Sequence, residues 1–158
     1  MPGNSRSKVT MTNSVLSRLI DLLGSSLPAY ISDSGIWSYP GAEQIKLALA
    51  DCVGDQHSIV ERAGTLLVER NVTPPRPIYP MAFTALHDLD LHSLLPRILG
   101  ALRRQVVEIE HLMDVSRLDP TAHDLLADAR QTTLLHSDIF EDMARGPAGT
   151  VPPASAVS

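Results

Sequence analysis

Apolar residues recur every three or four positions in four long segments of this chain and alternate nowhere, so the pattern predicts helices and no strands. The first segment runs from roughly 12 to 33, with Leu16, Leu19, Leu23, Leu27 and Tyr30 on one side. SDSGIWSYPG then interrupts it through Gly35, Pro40 and Gly41. The second runs from roughly 41 to 71 and stops before Pro74 and Pro75. A proline-rich crossing, TPPRPIYPMAFTALHDLD, follows, long for a connection between packed helices and expected to carry a helical turn near FTALHD. The third helix is expected over roughly 91 to 115, with Ser93 as cap and Pro96 in the first turn, where a missing amide costs little. The fourth is expected over roughly 120 to 145, with Asp119 as cap, Pro120 as first residue and Gly146 as terminator. Short links within the first and last pairs imply antiparallel neighbours. The expected fold class is therefore all-α, an antiparallel up-down four-helix bundle with a proline-rich crossing between its second and third helices. Residues 1–11 are expected to be a flexible N-terminus, with Met11 a possible natural start. The bundle is expected to fill 12–145, and 146–158 to be a disordered tail.

Turning these helices at about 100° per residue exposes an anomaly. On the second helix Ile45, Leu49, Cys52, Ile59, Ala63 and Leu67 form an apolar stripe with Gln56 near its centre. On the fourth, Ala122, Leu125, Ala129, Phe140 and Met143 surround His136, with Thr133 one turn earlier on the same face. On the third, Gln105 lies on the shoulder of a stripe running from Leu91 to Met113. Gln56 and His136 lie at similar depths along their helices, level with Leu19 or Leu23 and with Leu102. A polar layer of Gln56, Thr133 and His136, walled by leucines, is thus expected at mid-height. Burying such groups is costly unless they are hydrogen-bonded or hold a ligand.

Composition narrows the chemistry. A chain of 158 residues suits one domain with a proper core, and at 4% aromatic content that core must be aliphatic. The formal charge is -5 and the basic residues are scattered, so no nucleic-acid footprint is visible. The one cysteine, Cys52, excludes an intrachain disulfide and a multi-cysteine metal site, and its place in a core stripe suits an inert thiol. No apolar run reaches membrane-spanning length, and MPGNSRSKVT lacks an apolar signal core, which makes a cytoplasmic location the expectation. There is no glycine-rich phosphate loop and no nucleophile elbow.

Other groups have simpler readings. His57 and Glu61, at i and i+4, and Glu108 and His111, at i and i+3, point away from the stripes and read as solvated faces. The HDLDLH cluster, with His87, Asp88, Asp90 and His92, reads as carboxylates at a helix start. Trp37 and Tyr39 are expected to close one end of the bundle or to form a contact surface.

Taken together, a PGAE start, a long helix with DQH and a VERN-TPP ending, YPMAFTALHDLDLHSLLPRI, and a last helix opening DPTAHDLL resemble the ferritin-like (rubrerythrin-type) bundle superfamily over roughly residues 14 to 145. The resemblance implies a core site for two iron or manganese ions, held by Glu-x-x-His pairs on the second and fourth helices and a Glu on each of the others. Carried over by position, the fourth-helix pair falls on Thr133 and His136, the second-helix pair on Gln56 and Ile59, and the single glutamates on leucines. Hard cations need anionic oxygens, and these residues supply none. The expectation is a non-catalytic ferritin-like module without its dinuclear site, with no cofactor, neither nucleic acid nor membrane as partner, and a homo-oligomeric or protein contact through an outer face. The alternative is a redox protein holding iron, manganese, zinc or haem at an atypical site around His136, completed by His57 or Gln105.

Overall fold

The computed structural model describes residues 2–34 and 41–146; the regular structure among them is helical, with no strand. Helix α1 spans Pro2–Gly24, α2 Leu27–Asp33, α3 Glu43–Glu69, α4 Leu91–Val115 and α5 Pro120–Arg145, with a 3₁₀ segment at Met81–Leu86. The N-terminal residues expected to be flexible are helical from Pro2 onward. Trp37 and Tyr39, and the tail from 147, lie outside the described residues.

The first predicted helix is in fact two. Leucine periodicity carries through 12–33, but Ser26 takes an extended conformation and its hydroxyl accepts from Ala29 N at 3.3 Å, capping a new helix with Pro28 in its first turn. Proline donates no N–H, so the ladder breaks where serine can restart it. The next two caps are also informative. Asp90, not Ser93, caps α4, accepting from Ser93 N at 2.7 Å. Asp119 caps α5 as expected, accepting from Ala122 N at 3.2 Å, and Gly146 ends it with φ 79°. At the end of α3, Asn71 adopts φ 60°, a left-handed conformation that asparagine tolerates well.

Helix direction follows from side-chain pairs. Arg62–Asp128 and Asp55–His136 join α3 to α5 in opposite senses, as Arg103–Glu141 and Glu110–Arg130 join α4 to α5. Both α3 and α4 therefore run against α5 and run the same way as each other. The up-down order expected from loop lengths would have reversed them. Helix α1 packs on α3 and α4, and α5 packs on the same two.

The crossing makes this order possible by returning the chain along the molecule. It lies close over α1, where a Cβ on Gly24 would stand 2.5 Å from Pro77 Cγ, so that position needs glycine. Further on, Tyr79 donates to Asp33 Oδ2 at 2.5 Å, and the Tyr30 ring meets Tyr79, Phe83 and His87 at centroid distances of 5.2, 5.3 and 5.6 Å.

The interior falls into two apolar clusters. One gathers α2, the first halves of α3 and α4, and Phe140; the other gathers α1, the second halves of α3 and α4, and the first half of α5.

Candidate functional site

Between the two clusters lies a layer of buried polar side chains. Gln56 is 3% exposed, Gln105 4%, Thr133 1% and His136 3%, so the inward phase expected for Gln56, Thr133 and His136 holds, and Gln105 joins them. Each comes from a different turn of α3, α4 or α5 where the apolar stripe is interrupted, with Ser26 added from the α1–α2 break.

Two separate hydrogen-bonding arrangements engage most of these groups. In the first, Ser26 Oγ donates to Gln56 Oε1 at 3.3 Å, Gln56 Nε2 donates to Gln105 Oε1 at 2.9 Å, and Gln105 Nε2 reaches the Leu22 carbonyl at 3.5 Å. This chain of neutral groups runs from the α1–α2 break through α3 to α4 and closes back on α1. In the second, His136 Nε2 lies 2.7 Å from Asp55 Oδ2. The Asp55 side chain is 57% exposed while that of His136 is 4% exposed, so a carboxylate at the rim holds an imidazole in the interior. Thr133 does neither: its hydroxyl donates to the Ala129 carbonyl of its own helix at 2.7 Å.

No family model, curated protein or solved structure matches this chain. Its chemistry has to be read from the layer alone.

A carboxylate oxygen accepts, so Nε2 of His136 carries the proton and donates. Nδ1 is buried with no hydrogen-bonding partner. Cys52 lies on the same stripe and is fully buried; burial, with the nearby Asp55 charge adding to it, pushes its thiol up to about 12. Such a thiol stays protonated at neutral pH and does not act as a nucleophile.

The other candidates disperse. His57 is exposed and pairs with Glu61 at 3.1 Å, one turn along the outside of α3, so it does not complete a site at His136. Glu108 and His111 are exposed on α4. His87 bonds Tyr30 Oη at 2.5 Å, and Asp90 is occupied as the α4 cap, where the Ser93 backbone N–H holds its carboxyl below the usual range. Among the described residues no three His, Cys, Asp or Glu side chains gather as a metal site would require.

Sequence reasoning missed Asp55 and Ser26. Asp55 precedes Gln56 and is therefore about 100° off the stripe, on the shoulder that faces α5. A search restricted to stripe centres passes over it, whereas an acidic shoulder level with a core histidine on the next helix would have found it. Ser26 was hidden by the assumption of one continuous helix.

Proposed function

We propose that this chain is a ferritin-like four-helix bundle that has lost its dinuclear metal site and serves as a non-catalytic structural or protein-interaction module. The bundle reading is supported by four long helices each packed on two others, and by a crossing that leaves α3 and α4 running the same way, the connectivity of a bundle with one long crossover. The loss of the metal site is supported above all by one observation: the mid-height layer is made of carboxamides, hydroxyls and one imidazole, and its lone carboxylate, Asp55, sits at the rim bonded to His136. Hard divalent cations bind sets of anionic oxygens, and the layer does not offer one.

The contact surface in this reading is the outer side of α3 and α5. It exposes Leu47 at 69%, Leu135 at 58% and Ile139 at 37%, apolar area left uncovered among the described residues.

A second reading has its own support. A carboxylate that fixes one imidazole nitrogen and leaves the other free is the usual surrounding of a metal-bound histidine. His136 with Asp55 has this form, with Nδ1 as the free nitrogen. Iron, manganese, zinc or haem would then bind at Nδ1.

Elemental analysis and an optical spectrum of untagged protein separate the two readings. The first expects metal-free protein that stays folded in chelator and associates in sedimentation, with association lost in Leu135→Glu. Stoichiometric metal or haem that disappears in His136→Ala would establish the second.

A further inference from the structure

We propose that the cleft at the α1–α2 break binds a small zwitterion with an apolar side chain, that is, an apolar α-amino acid. The inference rests on this cleft alone and does not require the bundle to belong to any family. The cleft opens to solvent and offers about 220 Å³, below the roughly 300–1,000 Å³ of sites for drug-sized ligands, which suits a small occupant. Leu22, Leu27, Phe83 and Ala101 form its apolar walls. Ser26 and Gln105, both buried, also line it, so a ligand here would touch the end of the hydrogen-bonded chain that crosses the interior. Gln105 Nε2 meets the Leu22 carbonyl only at 3.5 Å, the limit of a hydrogen bond, which leaves the amide able to donate outward.

The charge comes from Arg104 and Glu108, which complete the lining one turn apart on α4. Arg62, Arg70, Arg103, Arg117, Arg130 and Arg145 each form an ion pair with a carboxylate. Among the described residues Arg104, like Arg18, Arg76 and Arg97, has no such pair, and neither does Glu108. Two features keep them apart. Arginine four residues before glutamate is the less favourable order on a helix. Gly100, one turn earlier, leaves room for the Arg104 guanidinium to fold back, with Nη1 3.5 Å from where a Cβ on Gly100 would stand, away from Glu108. One cation and one anion, each unpaired, thus flank an apolar hollow with an amide donor between them. A carboxylate on Arg104, an ammonium on Glu108 and an aliphatic or aromatic side chain among Leu22, Leu27 and Phe83 match all three features.

The test is calorimetric titration of the full chain with L-leucine, with 3-methylbutylamine, which lacks the carboxylate, and with 4-methylpentanoate, which lacks the ammonium. Leucine is expected to bind, and each analogue to bind at least about tenfold more weakly for the charged contact it loses. Arg104→Ala should abolish the advantage of leucine over the amine, and Glu108→Ala its advantage over the acid. Both positions are exposed, and a circular dichroism melt verifies that the variants fold. No leucine binding up to about 10 mM would overturn the proposal. So would equal affinity for all three compounds, or variants that bind leucine as the parent does.

Discussion

The two apolar clusters and the layer between them are built on the same helices and in the same helical phase, yet different forces hold them. In the clusters, side chains such as Leu16, Leu49, Leu102 and Phe140 are wholly buried and bind through area removed from water. In the layer, Gln56 and Gln105 occupy stripe positions of the same kind and are retained by an amide–amide bond of 2.9 Å. A leucine deletion anywhere in a cluster removes contacts. A deletion in the layer does something else, because it leaves a partner unsatisfied. The difference teaches that equal burial does not mean equal tolerance: a cluster position tolerates only apolar volume, whereas a layer position tolerates any change that also relieves its partner.

The largest effect should come from the clusters. Phe140→Ala creates a cavity beside α2, α3 and α4 and is expected to cost about 3–5 kcal/mol, read as a lower midpoint in urea unfolding. Next, Gln56→Leu alone strands both Gln105 and Ser26 and should cost roughly 1–3 kcal/mol in the same assay. If Gln56→Leu proved as costly as Phe140→Ala, the contrast between cluster and layer would fail.

A smaller effect is expected at the start of α5, at the edge of the second cluster. Burial pushes the Asp119 carboxyl up, but the Arg70 guanidinium and the Ala122 backbone N–H outweigh it and hold the group below its ordinary value. A group lowered in this way adds stability above the unfolded value of about 3.9, lost as the pH falls through the lowered value. Asp119→Ala should cost about 0.5–2 kcal/mol near neutrality through loss of the cap. It should also flatten the decline in stability as the pH falls below the ordinary carboxylate value. Thermal melts across that range measure both. The smallest effect concerns Cys52, whose buried, protonated thiol should react with a disulfide reagent at pH near 8 only after unfolding in urea. Fast reaction in native protein would mean that the cluster opens to solvent.

How much of this could be read in the chain differs between its halves. The limits of α4 and α5 agree with the pattern because Asp119–Pro120 and Gly146 punctuate the chain strongly. The α1–α2 break was masked by leucines that keep their spacing through it, although Ser26 and Pro28 carry the signal. The relative direction of α3 and α4 is not encoded in periodicity at all. It depends on where a proline-rich crossing lies, and that is decided by contacts such as Pro77 on Gly24 and Tyr79 on Asp33. At the candidate site, burial of Gln56, Thr133 and His136 was legible from helical phase, while their partners were not. Pairing depends on neighbouring helices: Gln56 bonds Gln105 and Ser26, and His136 bonds Asp55.

The central claim is that the amide chain across the interior is a self-satisfied structural element and not one half of a reactive site. Thermal melts of Gln56→Leu, Gln105→Leu and the double variant test it most directly. The account predicts that each single change lowers the midpoint and that the double variant melts above both, because the second change relieves the carboxamide that a single change strands and leaves Ser26 alone without its acceptor. A double variant less stable than either single one would contradict it.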